Sequence, residues 1–268
     1  MLKDITIGQF FPGESLIHRL DPRFKIAITL LYILMLFTGD SLICLAVGAV
    51  FTVMSVLLSK IPFRMFVKSI KPIFPFLLLT AVLNIIFVRT GDVLFEWNFI
   101  KITEDGVNIS VFMIIRITLL IVGSSLLTYT TSPITLTDAI ERLLSPLKKI
   151  KVPVHELAMM MSIALRFIPT LIEETDKIMS AQKARGAEID TGSFMTRARN
   201  MISILVPLFV SSFRRADELA TAMECRCYNG GEGRTRLRQL KSEARDYIAL
   251  AVTLVFYTLA IVVNIIVK

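Results

Sequence analysis

The sequence predicts an all-α polytopic membrane protein with about five transmembrane helices and a cytoplasmic domain of three helices, two of them long. Three observations carry this fold class. The 268 residues are 54% hydrophobic, with a mean hydropathy of +0.67, above the ~45–50% apolar content of soluble domains. The apolar residues gather into runs long enough to approach a bilayer's thickness. Over residues 129–245 the pattern changes to a polar stripe at helical period.

Residues 1–24 form a polar N-terminal arm. No apolar stretch ending in small residues occurs there, so no signal peptide is expected and the first spanning helix directs insertion. Asp21-Pro22 opens a helix, with Asp as N-cap and Pro in the first turn. The run Ile26–Phe37 follows, and Gly39-Asp40 ends it. Leu42–Leu58 is the second run. Residues 60–71 hold Lys60, Arg64, Lys68 and Lys71 with no acid, an amphipathic basic connector. Ile73–Val88 and Val107–Leu127 are the third and fourth runs, and Ile248–Val267 is the last. Between the third and fourth, residues 89–106 carry four acids and two bases, with Trp97 as an interfacial anchor.

Loop charge sets the orientation. Short basic stretches stay on the cytoplasmic side, so the N-terminal arm, the 60–71 connector and residues 129–245 are expected inside, and residues 89–106 and the C-terminus outside. The net charge of +8 is read as this bias and not as a nucleic-acid surface. The expected organisation is the arm and helices one to four over 1–128, the cytoplasmic helices over 129–245, and a last transmembrane helix over 246–268.

The cytoplasmic segment begins with Ser132-Pro133, again an N-cap and first-turn proline. A short helix runs to about Leu144 and is closed by Pro146. A long helix starts after Pro153, with Ser162, Arg166, Thr170, Glu173, Lys177 and Ser180 on one stripe. Continuous over 156–185, it spans ~45 Å at ~1.5 Å per residue. A third helix runs from about Phe194 to Tyr228, and Pro169 and Pro207 are candidate bends. Leu157–Ile172 and Met201–Phe213 are apolar but shorter than the ~17–25 residues of a span. Spanning would also carry Lys177, Lys183, Arg185, Arg197 and Arg199 outside. These stretches are therefore placed at the membrane interface.

The two long helices end alike. Asp176 precedes Arg185, and Asp217 precedes Arg226, at the same interval, with Ala181 and Ala222 at matching positions. Ala184-Arg185-Gly186 alone is ordinary helix termination, a basic last turn followed by a left-handed glycine. The repetition at Cys225-Arg226-Cys227 points to two cations presented to two related partners, and the planar guanidinium suits bidentate recognition of carboxylates. The Met159-Met160-Met161 run reads as packing, or as an adaptable contact surface.

Other chemistry finds little support. No G-x-x-x-x-G-K-[ST] loop occurs; Gly230-Gly231-Glu232-Gly233-Arg234-Thr235 lacks the spacing and the lysine. Cys44, Cys225 and Cys227 with His18 and His155 do not make a zinc pattern, so no metal site is expected. A membrane enzyme acting on lipid or prenyl substrates would need a D-D-x-x-D type cluster, which is absent. A self-contained carrier would show repeated broken spans, whereas the repeated feature lies in the cytoplasmic segment. Arg116, inside the fourth run, is read as an internally paired arginine near a polar group such as Asn84.

Taken together, Phe11-Pro12-Gly13, Ser15, His18, Leu20-Asp21-Pro22-Arg23 and Lys25 resemble the opening signature of the transmembrane T component of energy-coupling factor (ECF) transporters, the EcfT/CbiQ family. Thr130-Thr131-Ser132-Pro133, Leu165-Arg166-Phe167-Ile168-Pro169, Ala181-Gln182 and Ala184-Arg185-Gly186 resemble its central region. The second arginine motif departs, since Cys225-Arg226-Cys227 keeps only the arginine. The resemblance implies a non-catalytic scaffold and lever of an ATP-driven importer in the bacterial inner membrane. Ala184, Arg185, Gly186, Cys225, Arg226 and Cys227 are then expected to dock two ABC-type ATPases, which bind the ATP and magnesium, so this chain needs no cofactor. A membrane-embedded substrate-binding S component for a vitamin or metal ion is expected against Met160, Met161, Ala164 and Ile168.

The topology has a direct check. Single cysteines placed along a chain lacking its native ones should be labelled from outside within 89–106 and protected at position 185. External labelling at 185 overturns the orientation.

Overall fold

The computed structural model describes residues 10–39, 41–97, 100–187, 194–230 and 240–267. It is helical apart from one hairpin. The elements are α1 (Pro22–Thr38), α2 (Leu42–Ser59), α3 (Phe63–Ile70), α4 (Phe74–Phe87), β1 (Val93–Trp97), β2 (Ile100–Thr103), α5 (Glu104–Thr130), α6 (Pro133–Leu143), a 3-10 segment (Ser145–Ile150), α7 (Val154–Ala184), α8 (Phe194–Glu224) and α9 (Ala244–Val267). Contacts divide the chain into two compact units, Gly8–Leu136 with Gln239–Lys268, and Thr137–Arg238.

The first unit is a helical bundle in which α9 returns to pack on α1 and α2, and α5 packs on α1, α2, α3 and α4. α2, α5 and α9 are long and apolar enough to cross a membrane, and α3 with α4, bent by 55°, is together long and apolar enough for a broken span or a re-entrant loop. α1, at 17 residues, is at the lower limit for crossing. The bend between α3 and α4 follows from the chemistry of the connector. Pro72 lies in the break itself, and α4 carries Pro75 in its first turn, where a missing N–H costs nothing. α3 is the amphipathic basic connector: Phe66 is buried edge-on against Tyr129 (5.5 Å), while Arg64 and Lys68 are exposed.

Residues 89–106 hold more order than their charge suggested. Val93–Trp97 and Ile100–Thr103 pair antiparallel, with Glu96 opposite Lys101. The side chain of Trp97, expected as an anchor, lies outside the described residues. Thr103 then caps α5 by accepting from the Gly106 N–H (3.3 Å), and its hydroxyl donates to the Val88 carbonyl (3.0 Å), tying the hairpin's end to the end of α4.

The opening signature forms a buried polar knot. The Asp21 carboxylate accepts from the Arg23 backbone N–H (2.9 Å), as an N-cap does, and from the Arg23 guanidinium (2.6 Å). Asp246, 1% exposed, accepts from the Asp21 N–H (2.8 Å) with one oxygen and from the Glu243 N–H (2.7 Å) with the other. One carboxylate therefore satisfies the N-terminal donors of both α1 and α9. Lys25, 4% exposed, donates to the His18 carbonyl (3.1 Å), the Thr130 carbonyl (2.9 Å) and the Thr131 hydroxyl (3.3 Å). That joins α1 to the arm and to the end of α5.

Deeper in the bundle, the Tyr32 hydroxyl bonds Thr52 Oγ1 (2.7 Å) and donates to the Leu119 carbonyl (2.9 Å). A Cβ at Gly123 would lie 2.2 Å from the Tyr32 ring, so a glycine there lets α5 approach α1. Cys44 is buried and its thiol donates to the Ala260 carbonyl (2.9 Å). Arg116 is held inside as expected, but on the Gly39 carbonyl and over the Phe112 ring (4.4 Å) instead of at Asn84.

At the end of the first unit Ser132 caps α6 through the Thr135 N–H (3.3 Å). In the second unit Glu141 meets His155 Nδ1 (3.0 Å), fastening α6 to the start of α7. α7 and α8 are each 31 residues long and carry Pro169 and Pro207 inside them. α7 is also long and apolar enough to cross a membrane, though its apolar stretch of 18 residues, with a mean hydropathy of 1.3, is the least apolar of the four such helices among the described residues.

Asp246→Ala removes an acceptor shared by the buried Asp21 N–H and the part-buried Glu243 N–H. The orphaned buried donor costs about 1–3 kcal/mol, so a marked fall in the thermal unfolding midpoint of the detergent-solubilised chain is expected. Asp246→Asn retains one acceptor oxygen and should fall less. Equal stability of Asp246→Ala and wild type contradicts this account.

Candidate functional site

Both arginines singled out by the sequence sit where a long helix stops. Arg185 caps α7 with φ −86° and ψ 5°. Gly186 takes φ +86°, and its N–H donates to the Lys183 carbonyl (3.0 Å), while the Ala187 N–H donates to the Gln182 carbonyl (3.0 Å). This crossed pair is a Schellman closure. α8 closes in the same way. The Cys227 N–H donates to the Glu224 carbonyl (2.8 Å) and the Tyr228 N–H to the Met223 carbonyl (3.1 Å). The Arg185 and Arg226 N–H groups donate to Gln182 and Met223, each at 3.1 Å. The two helix ends share the same crossed closure with an arginine at the same place in it, and the Arg185 N–H in addition reaches the Ala181 carbonyl (3.2 Å).

They differ at the left-handed position. Gly186 has open space around its Cα, so glycine is needed there for its backbone angle and not for room. Cys227 takes φ 53°, a conformation that costs an L-residue roughly 1–2 kcal/mol. Arg185 and Arg226 are exposed, as are Ala184, Gly186, Cys225 and Cys227.

The packing of α7 on α8 sets the two ends apart. Glu174 pairs with Arg215 (3.0 Å), and the Gln182 amide donates to the Ser203 carbonyl (3.4 Å). The contacts advance along α7 as they retreat along α8, so the helices run in opposite senses. The Ser203 carbonyl is the one that Pro207, lacking an N–H, leaves free four residues upstream; Gln182 supplies the missing donor. With Arg185 just beyond this contact, Arg226 lies about 35 Å along α8 from Ser203 at ~1.5 Å per residue. The two cations are thus separated by a distance suited to two bodies and not to one pocket.

The unit also presents an apolar face. Met160 and Met161 are 54% and 48% exposed, Ala164 is exposed and Ile168 half-buried. α8 adds exposed Ile202, Leu205, Val206, Phe209, Val210 and Phe213. The sequence reading assigned contacts to α7 alone. The signal for α8 was present in the run Met201–Phe213, which was read only as interfacial. Among the described residues, no group of three or more His, Cys, Asp or Glu is placed to hold a metal ion.

Spans, bent span and paired helix ends together define a multi-pass helical membrane protein carrying a second helical unit with two projecting basic termini. Residues 13–237 match the family model CbiQ, described as cobalt transport protein. The chain is 56% identical to the energy-coupling factor transporter transmembrane protein EcfT of Clostridium kluyveri, over 97% of both chains. It is 51% identical to the protein of that name from Ruminiclostridium cellulolyticum, over 98% of both. With that of Bacillus subtilis it shares 47% identity, over 92% of this chain and 93% of the relative. The chain belongs to the EcfT/CbiQ family, the transmembrane T components of ECF transporters.

The left-handed positions give a paired test. Cys227→Gly relieves the strained residue and is expected to stabilise the end of α8 by about 1 kcal/mol, whereas Gly186→Ala destabilises the end of α7 by a similar amount. Amide exchange of the last turns should slow in the first variant and quicken in the second. The same direction of change in both contradicts the assignment.

Proposed function

We propose that this chain is the scaffold and lever of an ECF-type importer, coupling two ABC-type ATPases to a membrane-embedded S component that captures a vitamin or metal ion. The observation that carries the reading is the repeated helix end: Arg185 and Arg226, exposed, at equivalent places in two matching Schellman closures far apart on one helix pair. Capping alone explains a cation at a helix C-terminus. It does not explain why two ends with different flanking residues hold the arginine at one position of the closure. Each arginine presents a planar fork to a carboxylate in a partner groove, and the neighbours Ala184, Gly186, Cys225 and Cys227 are small enough to let that groove close around it.

In this reading the chain catalyses nothing. The partner ATPases bind ATP and magnesium, and their closure draws the ends of α7 and α8 together or apart. The antiparallel pair, pinned by Arg215–Glu174 and Gln182–Ser203, transmits that motion to the apolar face around Met160, Met161, Ala164 and Ile168, where the S component rests. The unequal loop charges support a bacterial cytoplasmic membrane location with the N-terminus and residues 129–245 inside. The names of the relatives support the transport assignment, and the family's description, cobalt transport protein, supports a metal ion as cargo.

Truncating one side of a desolvated charge pair costs ~2–5 kcal/mol. Arg185→Ala and Arg226→Ala are each expected to lower the yield of complex with the two ATPases or to uncouple hydrolysis from uptake, with a larger loss in the double variant. Arg→Lys restores only part, since the fork is lost. If the arginines serve as caps alone, each alanine variant loses only ~0.3–1 kcal/mol of helix stability and transports normally; that result overturns the docking assignment.

A further inference from the structure

α3 carries three faces, and one residue of α5 fixes how they are turned. The Tyr129 hydroxyl donates to the Met65 carbonyl (3.2 Å) and bonds the Ser69 hydroxyl, and its ring meets Phe66 edge-on. Met65, Phe66 and Ser69 therefore face the bundle. Phe63, Val67 and Ile70 follow one another at steps of four and three and make an apolar stripe. Phe63 is 72% exposed and Val67 47%. Arg64, Lys68 and Lys71 repeat those steps one residue further on, so they form a second stripe turned from the first by about 100°. All three cations are exposed, as is Lys60 just before the helix.

Nothing described in the chain answers these charges. Among the described residues none of the four makes an ion pair or a side-chain hydrogen bond. α3 has no acid in its first turn, and Lys60 and Arg64 sit beside its N-terminus, where the helix dipole opposes a cation. Lys60 also holds φ 54°, a conformation that glycine adopts without strain. Local stability disfavours a cation at both places, which points to an anion supplied from outside. The 55° bend against α4 suits such a role. With α4 upright, the eight residues of α3 change depth by about 7 Å, instead of the ~12 Å of a straight continuation. Lys68 and Lys71 thereby stay close to the level of Arg64 and are not carried into hydrocarbon, where unpaired charge is costly.

We infer that α3 is a docking surface for anionic phospholipids of the leaflet in which it lies. Phe63, Val67 and Ile70 enter the acyl boundary, and Lys60, Arg64, Lys68 and Lys71 meet the phosphates, as an in-plane amphipathic helix does. A soluble acidic protein would answer the cations and leave the adjoining Phe63 uncovered. A zwitterionic lipid would cover Phe63 and leave the net charge unanswered. The inference rests on membrane insertion and on this bundle alone, and stands whether or not Arg185 and Arg226 dock ATPases.

Fluorescence quenching in bilayers tests it. Trp97, the only tryptophan, is changed to Phe, and the full chain then carries either Val67→Trp or Leu79→Trp, the second at an exposed position midway along α4. Each is reconstituted into mixtures of phosphatidylglycerol and phosphatidylcholine, with one or the other lipid brominated in its acyl chains. At position 67 phosphatidylglycerol is expected to be preferred about fivefold, the factor for one cation at a charged surface. At position 79 the two lipids should quench alike. Changing Lys60, Arg64, Lys68 and Lys71 together to Gln should remove the preference at 67. A second measurement keeps all four cations: salt at about 1 M, where the screening length is ~3 Å, should remove most of the preference, and inorganic phosphate should do no more than chloride of equal ionic strength. Equal quenching by both lipids at 67, no quenching there by either, a preference as large at 79, or one that survives the salt or the fourfold change each overturns the proposal. Selective displacement by inorganic phosphate marks a free-anion site and overturns it as well.

Discussion

The bundle depends on one buried carboxylate. A helix N-terminus leaves several N–H groups without intrahelical partners, and in a membrane protein water is scarce where such ends are buried. Asp246 meets that constraint for two helices at once, taking the N–H of Asp21 at the start of α1 and of Glu243 before α9. The first and last helices of the unit are thereby fixed to each other at their ends. Lys25 extends the same logic to a C-terminus, donating to the Thr130 carbonyl at the end of α5. The start of α1 and the end of α5 are completed by side chains of other segments, so those two bonds form only when the chain has come together, whereas the Glu243 N–H is met from within α9 itself.

Once the ends are fixed, the interior is set by close approaches. The Tyr32 ring lies where a side chain at position 123 would be, and its hydroxyl is shared between α2 and α5. Cys44 reaches α9 through a carbonyl of the last helix. These contacts tie α1, α2, α5 and α9 together at two levels, since Cys44 and Thr52 lie about 12 Å apart along α2 at ~1.5 Å per residue.

The second unit solves a different problem. Its helices are long, bear internal prolines and stop at two separated ends. A proline inside a helix removes a donor and frees a carbonyl; at Pro207 the freed Ser203 carbonyl is taken by Gln182 of the other helix. A local defect thus becomes the pin of the helix pair, and together with Glu174–Arg215 it fixes the register on which the separation of Arg185 and Arg226 depends. The Schellman closures then hold each arginine with its side chain outside the helix and its backbone inside a defined turn.

Local chemistry made much of this legible in the sequence. Asp21-Pro22 and Ser132-Pro133 announce helix starts because a side-chain acceptor and a fixed φ act within four residues, and both helices begin there. The apolar runs and the polar stripe after Pro153 give the helices their extents, since burial in lipid or against a neighbour depends on composition and period. Arg185 and Arg226 are recognisable as equivalent because the closure they occupy is built from consecutive residues. The hairpin at Val93–Thr103 was not legible: four acids and two bases read as a loop, and strand pairing depends on a partner and not on the segment alone. Nor could spacing along the chain reveal that Asp246 serves Asp21, that Gln182 serves Ser203, or that the arginine ends lie at opposite limits of an antiparallel pair. The sequence determined which segments are helices and how each one stops, because those outcomes follow from bonds within a turn or two. The tertiary structure alone decided where the ends point and what completes them, because those bonds join residues that meet only when the helices pack.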